Sequence, residues 1–197
     1  MAGRSFAPRG ARREKHLDVL PVSDTEMRVV ATLRDTSTAI DDPADIEVIH
    51  DLRLDATITI PDLTIREISA HSAQQPYDQC AVTVAPVSRL RGLSIRRGYR
   101  RQVLEVLGGT LGCSHFLTLA LDLSAANVLS IYLRMRAEVD NTPGNRADGT
   151  WTRAGMRIEP RLLNACAALA ADSPVQRRAK RPQPPVTSTT GRTDDEE

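Results

Sequence analysis

Apolar and polar residues alternate through "IEVIHDLRLDATITI", with Ile46, Val48, His50, Leu52, Leu54, Ala56, Ile58 and Ile60 on one parity. Glu47, Asp51, Arg53, Asp55, Thr57 and Thr59 take the other parity, and only Ile49 interrupts the pattern. A period of two predicts a strand with one buried and one wet face, which puts His50 on the buried side. Upstream, "EMRVVATLRD" at residues 26–35 has the Val, Thr and Leu content of a strand, and "TSTAIDDPAD" ends it with turn residues. Pro61-Asp62 predicts a tight turn into a returning strand, "TIREISA".

Helical patterns follow the strands. A polar loop, "HSAQQPYDQC", delivers Cys80, and "APVSRLRGL" reads as a short helix. "RRGYRRQVLEVLGG" reads as a helix stopped by Gly108 and Gly109. The longest helix is expected from about Ser114 to Met135, and residues 139–159 read as a loop with room for a short strand. "PRLLNACAALAAD" opens with proline at a favourable first helical position and carries Cys166. Strands first and helices afterwards predict an α+β fold, an antiparallel sheet of about three strands with helices packed on one face. Residues 1–22 are expected to form a flexible arm, 23–172 a single α+β domain, and 173–197 a disordered tail. The arginine-rich opening resembles a transit peptide in composition, but a flexible arm is the preferred reading.

Composition narrows the partners. With a net charge of +1, no global field draws the 197-residue chain to nucleic acid or membrane. Aromatic residues are 3 % of the chain, so the core must rest on Leu, Val, Ile and Ala. Residues 113–133 are long enough to span a bilayer, yet His115, Asp122 and Asn127 inside the stretch favour a buried helix and no membrane span. Cys80, Cys113 and Cys166 form an odd, unclustered set, and a reducing cytoplasm is the simplest compartment for them.

Four residues can do metal chemistry: His50, Cys80, Cys113 and His115. Imidazole and thiolate suit zinc, and thiolate suits an iron–sulfur cluster, although no CxxC or HExxH spacing is present. Cys113 also stands where a helix N-terminus favours thiolate, with His115 or His50 as base, the arrangement of a cysteine nucleophile. Buried structural cysteines are the plain alternative. Six arginines within thirteen residues include Arg96, Arg97, Arg100 and Arg101, spaced as a helical stripe; a solvated helix face is the plain reading, and an anionic ligand or an acidic protein is the functional one. Gly108, Gly109 and Gly112 match neither GxGxxG nor a P-loop, which argues against nucleotide binding. Asp51 and Asp55 flank Arg53 on the wet face and read as a salt-bridged surface.

"LRDT", "VIHDLRLDATITIPDLTIREISA", "PYDQC", "LRGLSIRRGYRRQVLEVLGGTLGCSHF" and "LNACAAL" together resemble the bacterial family called domain of unknown function 2889, from about Arg13 to Ala170. The resemblance rests most on His50-Asp51, on Cys80 and on the Gly-Cys-Ser-His block, and it implies a shared site among those residues without implying an activity. The family often has Cys-His-Ala where this chain has Cys166-Ala167, so no ligand histidine follows Cys166. The order of strands, loop cysteine and helix-start cysteine also resembles the sulfur-acceptor and iron–sulfur scaffold fold of SufE- and NifU-like proteins. A fold likeness does not carry function, and the leading expectation rests on the residues: a metal- or iron–sulfur-binding accessory or scaffold protein that uses Cys80, Cys113 and His115 with His50 or Asp51, the alternatives being a cysteine-nucleophile enzyme and a non-catalytic interaction module.

Overall fold

The alternation seen in residues 46–60 forms a strand in the computed structural model, which describes residues 8–181. Four strands, β1 (Arg9–Ser23), β2 (Glu26–Ala39), β3 (Ile46–Thr59) and β4 (Ile65–Gln74), make an antiparallel sheet in the order β1-β2-β3-β4. One parity of β2 (Met27, Val29, Ala31, Leu33) and one of β3 (Leu52, Leu54, Ala56, Ile58) lie in the core, while Arg28, Arg34 and Arg53 face out. Burying each larger apolar side chain stabilises by about 2 kcal/mol, against about 0.5 kcal/mol for an exposed ion pair. The inner face therefore sets the register, because a one-residue slip would turn every core residue outward.

Helices cover that inner face. Two 3₁₀ segments, Asp78–Thr83 and Ala85–Leu90, lead into α1 (Tyr99–Leu107) and α2 (Ser114–Asp122). Val87 and Leu90, Tyr99, Val103 and Leu107 of α1, and Phe116, Leu119 and Ala120 of α2 complete one core with the sheet. The buried Tyr99 hydroxyl donates to the Ala120 carbonyl at 3.0 Å, tying α1 to α2. After a 3₁₀ turn at Leu123–Ala125 the chain continues as α3 (Ala126–Glu138). The run Ser114–Glu138 spans 25 residues and is long and apolar enough to cross a membrane by length and composition. Its residues Phe116, Leu119, Ala120, Leu123 and Ala126 belong to the core beneath the sheet.

The sheet has four strands rather than about three. The extra one, β1, lies where a flexible arm is expected. It pairs with β2 from Arg9↔Ala39 to Ser23↔Glu26. Its inner parity carries Arg13, Lys15, Leu17 and Val19, of which only the last two are apolar, so alternation is nearly invisible in the sequence. Charged residues suit an edge strand, where they discourage pairing with another chain. The remainder of the arm, residues 1–7, lies outside the described residues, as does 182–197 of the tail.

The described residues fall into two compact units, divided between Ser130 and Ile131. In the second unit, the expected loop at 139–159 contains α4 (Pro143–Ala147) and α5 (Thr150–Ile158), while the expected helix at 160–172 is two 3₁₀ turns, Pro160–Leu162 and Ala167–Leu169. The start of the expected tail forms α6 (Pro174–Ala179). Thr142-Pro143 and Ser173-Pro174 explain both unexpected starts. Each hydroxyl accepts a backbone N–H two residues beyond the proline, and proline fits the first helical position.

Candidate metal centre

Arg13, Asp35 and His50 stand side by side across three strands. Arg13 is the register partner of Asp35, and Asp35 is the register partner of His50. All three continue the inner parities of their strands. Just beyond Asp35 the register shifts, Thr36 pairing with Val48, so that Ile49 is the extra residue on β3. A bulge re-aims neighbouring side chains and ends regular pairing. The lone break in the alternation marks it.

Asp35 is 7 % exposed, and a carboxylate so placed must be paired. Arg13 grips it with two bonds, Nε to Oδ1 and Nη2 to Oδ2, each 2.7 Å. His50 Nδ1 donates to Oδ2 at 2.9 Å. The Arg13 hydrogen bonds, and next to them that of His50, hold the Asp35 carboxyl below the usual carboxylate range despite its burial.

The fourth group arrives from α2. Gly112 passes so close to the preceding helix that a Cβ there would sit 3.0 Å from the Leu107 carbonyl oxygen. Cys113 then caps α2, its Sγ accepting the backbone N–H of His115 at 3.4 Å. The His115 ring lies against His50 with centroids 3.9 Å apart and planes tilted by 38°. Its Nε2 is 3.7 Å from Asp35 Oδ2, and its Nδ1 is 3.3 Å from Cys113 Sγ. Burial first, and then the neighbouring His50 and Arg13, push the His115 pKa down.

Asp35, His50 and His115 thus offer one oxygen and two nitrogens within 4.8 Å of one another. Metal–ligand bonds near 2.1 Å put adjacent tetrahedral donors about 3.4 Å apart. The separations of 2.9 and 3.7 Å around Asp35 Oδ2 bracket that spacing.

Of the four residues singled out in the sequence, the structure brings His50 and His115 together and puts Cys113 on the far ring nitrogen of His115. Cys80 sits half-buried in the 3₁₀ segment Asp78–Thr83, outside this group, and its carbonyl accepts from the Thr83 hydroxyl at 2.6 Å. Cys166 is exposed in the second unit. Asp51 faces the opposite side of the sheet, 3.4 Å from Arg34, and Asp55 pairs with Arg28 and Arg53. Sequence reasoning missed Asp35 and Arg13. Asp35 carried a signal like that of His50, a polar residue at the end of an inward parity, whereas Arg13 lies on a strand whose alternation the sequence barely shows.

The arginine stripe is not a helix face. Arg96 and Arg97 precede α1, which begins only at Tyr99 after Gly98 turns at φ 91°. Arg96 donates to the Pro61 carbonyl and Arg101 pairs with Glu105, whereas Arg96 and Arg100 line a shallow pocket with Ser124.

No curated protein and no solved structure matches the chain, so the likeness to sulfur-acceptor and scaffold proteins has no structural neighbour behind it. A family model does match, over residues 11–129, and it is described as a protein of unknown function, DUF2889. That span includes Arg13, Asp35, His50, Cys113 and His115 and more than half of the chain, and this protein belongs to the DUF2889 family.

Proposed function

We propose that the protein binds a single divalent transition metal through Asp35, His50 and His115, and serves as a metal-dependent accessory protein. The convergence of one carboxylate oxygen and two imidazole nitrogens within 4.8 Å carries this reading. Two imidazoles and a carboxylate suit zinc or ferrous iron, and three protein ligands leave a position for water or substrate. The donor set narrows the expectation of an iron–sulfur cluster. Such clusters are held chiefly by thiolates, and among the described residues the only thiol beside these groups is Cys113. Its place on His115 Nδ1 is that of an outer partner that fixes the ring and leaves Nε2 free to bind.

Untagged protein, purified without chelator, is expected to carry or take up one equivalent of zinc or iron by elemental analysis. Asp35→Asn, His50→Ala and His115→Ala should each lose it. A folded wild-type protein that stays metal-free after exposure to micromolar zinc and ferrous iron would sink the proposal.

One observation favours a second reading. Cys113 Sγ, His115 and Asp35 lie in the order thiol, imidazole and carboxylate, at 3.3 and 3.7 Å, the sequence of groups in a cysteine-nucleophile triad. In that case Cys113 alone would be alkylated quickly near neutral pH in metal-free protein, and His115→Ala would slow the reaction.

A further inference from the structure

We propose that Arg13 is the site's internal counter-cation, which releases Asp35 Oδ2 when the metal enters, so that the edge strand β1 sets the metal affinity. This rests on the metal-binding reading above and adds its regulation.

The argument starts from one atom. Oδ2 of Asp35 is the oxygen that faces both His50 Nδ1 and His115 Nε2, at 2.9 and 3.7 Å. It is also the oxygen held by Arg13 Nη2 at 2.7 Å. A metal and a guanidinium on that one oxygen would hold positive charges against each other in a partly buried setting, and this repulsion disfavours their sitting there together. The metal-free protein nevertheless needs a cation there. Without one, Asp35 would be a buried, uncompensated charge, a costly state. Arg13 supplies it through its two hydrogen bonds to the carboxylate.

The two partners differ in their freedom to move. The Asp35 side chain is 10 % exposed, whereas that of Arg13 is 47 % exposed on the strand that, among the described residues, forms the edge of the sheet. Arg13 can therefore turn its guanidinium into water while Asp35 stays in place. Among the described residues, the other side chains turned toward this carboxylate are the rings of His50 and His115. Farther along β1, Lys15 is engaged by Asp122 of α2. Arg13 is thus the charge that the metal replaces.

The test measures zinc affinity of the full-length protein by competition with a chromophoric chelator, for wild type, Arg13→Gln and Arg13→Lys. Arg13→Gln is expected to bind zinc about fivefold more tightly, the factor set by removing one half-exposed ion pair. Arg13→Lys keeps a competing charge and should stay near wild type, and it serves also if the Gln variant folds poorly. In wild type, the Nε–H resonance of Arg13 should lose its paired chemical shift on saturation with zinc. Unchanged or weaker binding in Arg13→Gln, or an unmoved Arg13 resonance in the zinc-loaded protein, overturns the inference and makes Arg13 an orienting partner of a bound carboxylate. If neither wild type nor Arg13→Gln binds zinc, the metal reading itself fails and this inference falls with it.

Discussion

The imidazoles of His50, on the third strand of a sheet, and His115, in the first turn of a helix packed beneath it, meet with ring centroids 3.9 Å apart. Helix α2 is placed by Phe116 and Leu119, both fully buried, so the core that holds the helix also fixes this contact. The position of Cys113 follows from it. With Nε2 of His115 turned toward Asp35, the thiol meets Nδ1.

If the proposed metal reading holds, Cys113 tunes the metal without binding it. Cys113→Ser is expected to keep one equivalent of metal with an affinity loss of about tenfold, the usual scale for an outer partner. In the cobalt-substituted wild-type protein, visible ligand-field bands should appear without the intense near-ultraviolet absorption of a thiolate–cobalt bond. That absorption, lost in Cys113→Ser, would make Cys113 a ligand.

The outer face of the sheet carries an acid-sensitive contribution to stability. Two arginines, Arg28 first and then Arg53, hold the Asp55 carboxyl at a pKa of about 2. Its value in the unfolded chain is about 3.9, so the folded state binds this proton less readily. The stabilisation is present above about pH 5 and is lost as pH falls through about 4 to 2. Screening by water around the half-exposed Arg28 limits it to about 1 kcal/mol. Urea unfolding of Asp55→Asn should show that deficit at pH 7 and converge on wild type near pH 2. A constant difference across this range would assign the loss to packing.

The second unit depends on a glycine. Gly149 has φ 87°, and a Cβ there would fall 2.6 Å from the backbone of Arg178 and Ala179 in α6. Gly149→Ala should cost about 2 kcal/mol or more within this unit, from left-handed backbone strain and displacement of α6. Trp151, the one tryptophan, packs edge-on against Tyr132 with centroids 5.5 Å apart and reports on the unit by fluorescence. Its emission should shift at lower denaturant in Gly149→Ala, and zinc uptake by the first unit should be unaffected. Wild-type fluorescence behaviour would show that α6 does not pack on Gly149.

Legibility in the sequence tracked how many apolar side chains each element buries. Strands β2 and β3 each place at least four apolar residues on one face, and their alternation is plain. Strand β1 buries little and resembles a polar arm. Helices α4 and α6 are too short for periodicity to show, and their cap-and-proline pairs are the signals that mark them. The break at Ile49 was visible as an irregularity, and only pairing with β2 gives it meaning as a bulge.

The sequence by itself determined the sheet-then-helix order, the inward side of His50, and the helix start that carries Cys113 and His115. These are local properties, set by periodicity and capping along a continuous stretch of chain. Tertiary structure alone decided which groups share the site. It admitted Asp35 and Arg13, moved Cys113 to the outer nitrogen of His115 and left Cys80 aside. The reason is that register and helix placement are fixed by burial of the common core, and the polar residues at its end meet wherever that packing brings them.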